Sequence, residues 1–434
     1  MTRRIRGRAA ALTLIGALAL IAAGCGGDDG GSSGDGGDVS GTLAVTAIWS
    51  GAEQEAFQAV IDGFTEANSG VTVNYTSGGD QLPTQLSTAV EGGNPPDIAF
   101  LGQPGLVRDF VEKDALQPLD FAREDVETNL GDSAVQLGSV DDTLYGFLFK
   151  AANKSLVWYN VAAFEDAGVE PPGTWDDFLA AADTIGASGI PAFSIGGADG
   201  WTLTDLFENI YLRTAGPEKY DQLAAHEIPW TDQSVKDALT EMAKVVGNGD
   251  NIAGGTTGAL QTDFPTSVSN VFSESPKAAQ VIEGDFVPGA VESGLEPETD
   301  YNVFDFPAIN DSAPSVVGGG DTVVMFKDSP AAQAFIRYLT TVEAAEIWAE
   351  RGGFGSLNQD LDTGTYPDAI QQTAAGALSE AEVFRFDLSD LQPAAFGGTV
   401  GQGLFKLFQD FVQNPDDVDG ITQQMEDAAA KAFG

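Results

Sequence analysis

Between residues 42 and 101 the hydrophobic and polar positions alternate with two different periods. Leu43 to Ile48 is a short β-prone run, and Ser50 with Glu53 three residues on forms a capping box that opens a helix. Phe57, Val60, Ile61 and Phe64 recur at helical spacing and predict its buried stripe. Asn68-Ser69-Gly70 stops that helix, and Val71 to Tyr75 reads as the next strand. A helix over Gln81 to Val90 and a strand over Asp97 to Leu101 follow. Strand, helix, strand, helix, strand predicts a mainly parallel sheet with crossover helices. In such sheets ligands bind beyond the carboxyl ends of the strands, where Trp49 and Ser50 stand.

The middle of the chain starts differently. Leu144 to Tyr159 holds two β-prone runs around Ala151-Ala152-Asn153, and Asn160 caps a helix that ends at Gly168. Thr174-Trp175-Asp176-Asp177 reads as a second capping box. Helices are predicted at 203 to 213 (Leu203, Leu206, Phe207, Ile210) and at 233 to 246 (Val235, Leu239, Met242, Val246). The chain turns extended near Tyr301 to Pro307. Gly318-Gly319-Gly320 then precedes a strand over Asp321 to Phe326, and Ser329-Pro330 starts a helix. No internal repeat is evident.

The first forty residues belong to a different class. Met1 to Arg8 carries four arginines and no acid, and Ala9 to Ala23 is unbroken small and aliphatic sequence, the pattern of a secretory signal over 1–24. As a helix that apolar run reaches about 22 Å, short of the ~30 Å hydrocarbon slab. Ala22-Ala23-Gly24-Cys25 resembles the bacterial lipoprotein box, with Ala22 where leucine is usual, so Cys25 is expected to carry lipid. Residues 25–41, nearly all Gly, Ser and Asp, read as a flexible tether. The formal G-x-S-x-G at Gly30 to Gly34 carries no catalytic meaning in such low-complexity sequence.

Composition removes most chemistry. With 20 Lys and Arg against 65 Asp and Glu, a formal charge of −45, nucleic acid is excluded as a partner. One cysteine and one histidine, His226, leave no disulfide, no thiolate metal site and no triad base; His226 reads as a polar loop residue. Asp417, Asp419, Gly420 and Glu426 mimic part of a calcium loop, but Pro415 occupies its first ligand position. Those acids read as a helix N-terminal cluster. No cofactor, no metal and no catalysis are expected; the chemistry is binding.

Several segments then resemble one family in order: Asn94-Pro95-Pro96-Asp97-Ile98-Ala99, Ala115 to Asp120, Leu144-Tyr145-Gly146 running to Tyr159-Asn160, and Pro171 to Asp176. Ala278-Ala279-Gln280 to Gly284-Asp285-Phe286 and Gly319-Gly320 to Leu339 continue the series. Together they resemble the family-1 extracellular solute-binding proteins of ABC importers, the group of maltose-binding protein. The wording around Ser77 to Asp80, Gln103-Pro104-Gly105 and Glu283 to Phe286 is similar to that of alpha-glucoside binders. The resemblance implies an α/β two-lobe periplasmic-binding-protein fold, each lobe a mainly parallel sheet flanked by helices. A hinge would be crossed near 150–155, 301–307 and 351–355. One lobe would combine 42–150 with 307–350, the other 151–306 with 351–434. It also implies carbohydrate captured between the lobes by hinge closure and delivered to permease subunits, by a monomer lipid-anchored on the outer face of the cell membrane.

Sugars are held by aromatic faces and by planar polar side chains. Trp49, Trp201 and Trp230 are candidate platforms, with lobe packing as the competing role, while Trp158, Trp175 and Trp348 read as core. Phe286 stands where the family has a cleft tryptophan, Gln280 replaces a methionine, and Asp285 is a hydroxyl acceptor beside them. Asp80, Gln103, Asp321 and Phe354 fall on matched cleft segments. Glu53 either caps its own helix or meets the ligand. Two other readings remain open: a polyamine-like cation held by aromatics and carboxylates, and a secreted carbohydrate-active enzyme.

Overall fold

The computed structural model describes residues 39–380 and 382–434, so Cys25 and the signal segment lie outside the described residues. Strand β1 (Ser40–Ala47) starts inside the stretch read as tether and forms the middle of the first sheet. It pairs in parallel with β2 (Gly70–Ser77) on one side and β3 (Ile98–Leu101) on the other. Leu43, Val45 and Ala47 alternate inward along β1, whereas all four residues of β3 are buried, as befits a strand covered on both faces. Helix α1 (Gly51–Ala67) buries Ala56, Phe57, Val60, Ile61 and Phe64, the predicted stripe plus one alanine. Each large member contributes roughly 1.5–3 kcal/mol by leaving water.

The sheet continues through a long strand, Ser315–Met325, antiparallel both to β3 and to the strand Gly146–Asn153, and parallel to Val383–Phe386. The glycine run expected ahead of this strand lies within it. A Cβ on Gly318 would stand 2.2 Å from the Phe384 ring. One on Gly320, whose φ is +151°, would stand 2.1 Å from the Lys150 carbonyl oxygen. Missing side chains are what let the strands approach. The register against Gly146–Asn153 shifts between Asp321 and Thr322.

The second sheet differs from the parallel expectation. Gln280–Ile282, Leu156–Asn160 and Tyr301–Asp305 pair antiparallel, and Phe193 adds parallel bridges to Gln280 and Ile252. The long helical excursion between Asn160 and Gln280 brings the chain back antiparallel to the strand it left.

The predicted caps on the middle helices hold. Asn160 accepts from the amide of Ala163, and Gly168 closes that helix in the left-handed conformation. Thr174 accepts from Asp177. The helix Gln233–Val246 has its predicted bounds, and Asp417 caps the last helix, Val418–Phe433. The helix predicted at 203 to 213 spans Trp201–Ala215, and every residue from Thr202 to Arg213 is buried. Its polar face, with Asp205, Glu208, Asn209 and Arg213, is therefore inside the protein.

Two main cores define two lobes. The first gathers β1, α1, Leu119 to Phe149 and Val323 to Phe354, and the second gathers the helices 175–246 with Leu404 to Ala429. Phe354 and Tyr366 still belong to the first core, while Ile370 and Ala374 pack with Leu156 and Trp158 in a third. Trp158, Trp175 and Trp348 are buried as expected.

Candidate functional site

A cavity of about 520 Å³ opens where the lobes meet. The end of β1 and the start of α1 supply Ile48, Ser50 and Glu53, and the loop after β3 supplies Gln103. The bulged long strand contributes Asp321, and Gly146–Asn153 with its exit contributes Lys150 and Lys154. The facing lobe brings an aromatic wall. Trp201 lies 5.3 Å from Phe264 and 5.9 Å from Phe286, ring centre to ring centre, and Phe264 and Phe286 are 5.3 Å apart. All three rings are half-buried.

Against that wall lie two lysine-centred networks. Lys150 is buried and pairs with Glu53; its ammonium is 5.8 Å from the Phe286 ring and 5.5 Å from that of Trp348. Burial works against the charge on Lys150, but Glu53, Asp321 and Asp285 outweigh it and hold the ammonium above its usual range. Burial pushes the Asp321 carboxyl up to about 6, against the pull of Lys150. Lys154 Nζ reaches Asp205 Oδ1 at 3.1 Å, Asp387 Oδ2 at 2.5 Å and Asp390 Oδ2 at 3.7 Å, and sits 5.7 Å from the Trp201 ring. The cavity thus offers apolar ring faces with paired donors and acceptors beside them. Among the described residues, no group of three His, Cys, Asp or Glu side chains is arranged to hold a metal.

Glu53, Gln103, Trp201, Phe286 and Asp321 line this cavity. Asp80 falls in the turn Gly79–Gln81, of which Gly79 reaches the cavity. Glu53 does not complete a capping box: Ser50 makes no side-chain cap bond, and the Glu53 carboxylate is drawn to Lys150. Gln103 donates its amide to the Gly398 carbonyl at 2.9 Å, which joins the two lobes.

Four expectations are corrected. Trp49 is fully buried, ringed by Phe57, Phe100, Phe149 and Trp348, because the chain folds inward at the strand end and packs the indole under α1. Trp230 is fully buried against Phe207 and Phe396 in the second core. Phe354 stacks on Trp348 with ring centres 5.2 Å apart and is core as well. Asp285 lies behind the wall, buried, where one oxygen accepts from the Asn153 amide at 3.0 Å and burial raises the carboxyl to about 7. His226 sits in a turn at φ 53°, its ring 3.2 Å from the Glu426 carboxylate.

Sequence reasoning missed Lys150, Lys154, Phe264, Asp390 and Phe405, all of which line the cavity. A signal existed for the lysines. Both interrupt an apolar run, Phe147 to Tyr159, and a lysine inside a β-prone run is buried only when paired. Phe264 and Phe405 carry no local mark, since loop and helix phenylalanines are ordinary core residues.

Comparison with known proteins places the chain among relatives of the same architecture. Residues 49–346 match the family model described as bacterial extracellular solute-binding protein. The chain is 34% identical over 370 residues to the osmoprotective compounds-binding protein GgtB of Synechocystis sp., covering 83% of this chain and 87% of that protein. It is 34% identical over 379 residues to the alpha-glucosides-binding periplasmic protein AglE of Rhizobium meliloti, covering 84% and 81%. The bacterial solute receptor AcbH superposes with a TM-score of 0.79 at 21% identity, over 91% of this chain and 99% of the receptor. RafE in complex with raffinose gives 0.73 at 16% identity, over 91% and 100%. These likenesses establish the two-lobe periplasmic-binding-protein fold, and the extent of the family match makes the chain a member of the bacterial extracellular solute-binding proteins.

Proposed function

We propose that this protein is the carbohydrate-capturing subunit of an ABC importer, and that the interlobe cavity takes an oligosaccharide of the alpha-glucoside class. The observation that carries the reading is the pairing of ring faces with polar groups in one cavity. Trp201, Phe264 and Phe286 offer ring faces to the C–H surface of a sugar, while Glu53, Gln103, Lys150, Lys154, Asp321 and Asp390 offer hydrogen bonds to its hydroxyls. The size of the cavity suits a ligand larger than one hexose. The 34% identity to a protein named for alpha-glucosides supports the same class.

The polyamine reading is disfavoured by charge pairing. Glu53 is engaged by Lys150, Asp390 lies near Lys154, and Asp321 accepts from the Trp49 indole, so an ammonium would have to displace an existing partner. A second reading has a specific support, the identity to a protein named for osmoprotective compounds, which makes small compatible solutes competitors for the same cavity. In our reading the carboxylates bind hydroxyls and catalyse nothing. The lobes close about hinge crossings at 150–155 and 301–307, and the protein acts as a monomer held outside the cell by lipid on Cys25.

A thermal-shift panel tests the assignment, because a ligand that binds only the folded state raises Tm. At least one of maltose, trehalose, sucrose and raffinose should raise it, while spermidine should not. A rise with spermidine or glycine betaine alone would overturn the carbohydrate reading.

A further inference from the structure

The hinge around Lys154 holds more buried carboxyls than that lysine can balance. Lys154 leaves the strand Gly146–Asn153 at the first crossing and meets Asp205 of the helix Trp201–Ala215 and Asp387 and Asp390 from the segment after Val383–Phe386. Among the described residues it is the one cation paired with these three acids. Asp205, Asp387, Asp390 and Glu283 are each at most 7% exposed.

The partners differ in kind. Asp387 is served as an anion: besides Lys154 it accepts from the Ser389 hydroxyl at 2.8 Å and the Asp390 amide at 2.9 Å. Glu208, one turn along the helix from Asp205, accepts from the amides of Leu388 and Ser389 and from the Tyr220 hydroxyl. Asp205 and Glu283 are not so served. Asp205 Oδ2 and Glu283 Oε2 are buried without a hydrogen-bond donor. Asp205 stands against the Asp387 carboxylate, and Glu283 faces Asp205 and Asp199 with only Lys154 to offset them. Glu283 also borders a small cavity of about 20 Å³ beside Ser194 and Thr202. A buried carboxyl oxygen without a donor is costly as an anion and acceptable as an acid.

The cluster is tied to the first crossing and to the long strand Ser315–Met325 beside it. The Lys154 amide donates to Val317, the Ser155 hydroxyl accepts from the Val317 amide, and the Asp387 amide donates to Gly318. Repulsion among these acids therefore acts directly on the strands about which the lobes turn.

We propose that this hinge is a proton-binding site, in which protons on Asp205 and Glu283 hold the crossing segments around Lys154 and their loss as pH rises loosens the lobes. Burial first, and then the neighbouring carboxylates, push both groups well above the ordinary carboxylate range. A raised carboxyl contributes stability that is full at low pH and lost as pH climbs through its folded value. The loss therefore runs upward from the ordinary carboxylate range.

The test uses the ligand-free protein, so it stands whatever the cavity binds. Tm and the radius of gyration by X-ray scattering are measured from about pH 5 to about pH 9 at high salt, which screens the general acidic surface. The wild type should expand and lose at least about 4 °C as pH rises. Asp205→Asn with Glu283→Gln, whose amides imitate the protonated acids, should remove most of that slope. Glu283→Gln alone should remove part of it, and it serves if the double variant does not fold. Equal slopes in wild type and variants, or a flat wild type, overturn the proposal. A Tm that instead rises with potassium or sodium at fixed pH, and stops doing so in Glu283→Gln, also overturns it by assigning an alkali cation to the small cavity.

Discussion

Trp49 Nε1 donates to Asp321 Oδ2 at 2.9 Å, so an indole fully shut away from the cavity holds a carboxylate that lines it. Asp321 is in turn drawn toward Lys150, which pairs with Glu53. Replacing Trp49 by alanine should open a core cavity and cost about 3–5 kcal/mol of stability. Trp49→Phe should keep most of the packing and lose the hydrogen bond, shifting affinity more than Tm. Chemical denaturation and calorimetry on both variants check this, and an alanine variant of normal stability contradicts the packing.

Trp201 is only half-buried, and its ring shares the aromatic wall with Phe264 and Phe286. Trp201→Ala should cost roughly 1–3 kcal/mol of binding, on the order of tenfold to a hundredfold in Kd, through lost contact area. Its melting point should fall less than that of Trp158→Ala, because Trp158 is fully buried and donates to the Gly284 carbonyl at 3.0 Å.

The pH dependence of ligand binding should carry the mark of Asp321. Its carboxyl is raised to about 6 by burial, so it is ionised above that value and gains a proton below it. Stability follows the sign for a raised group: its contribution is full at low pH and fades as pH rises from the ordinary carboxylate range through about 6. Binding should change in the same window, and Asp321→Asn should flatten both profiles there. A variant that keeps the wild-type slope near pH 6 removes Asp321 from the account.

The proposed anchoring through Cys25 is open to a direct test. Cys25→Ser should move the protein from the membrane fraction to the medium, since the Gly/Ser/Asp tether provides no other membrane hold. Unchanged membrane fractionation contradicts the lipid reading.

Much of the fold could be read from local pattern. Phe57 to Phe64 marked α1, Asn160 and Thr174 marked helix starts, and Val235 to Val246 marked a helix to the residue. These features depend on neighbours in sequence, which is why they were legible. The site was legible in part: Trp201, Phe286, Gln103 and Asp321 line the cavity, but Trp49 and Trp230 do not. Whether a tryptophan at a strand end faces solvent or core depends on what packs over it, here Trp348 from some three hundred residues away. Ser50 and Glu53 fit a capping pattern that Lys150, a hundred residues on, overrules. The antiparallel second sheet was hidden for the same reason, because strand direction is set by connections rather than by periodicity.

The central claim is that a neutral sugar lies between the aromatic wall and the lysine-paired carboxylates, and is bound without being altered. Isothermal calorimetry with maltose, trehalose, sucrose and raffinose, on wild type and Trp201→Ala, tests it most directly when the recovered sugar is assayed for new reducing ends. The account predicts one-to-one binding of at least one of these sugars, loss of roughly tenfold or more in affinity in the variant, and no new reducing ends. Binding that is indifferent to Trp201, binding only of spermidine or betaine, or turnover of the sugar would contradict it.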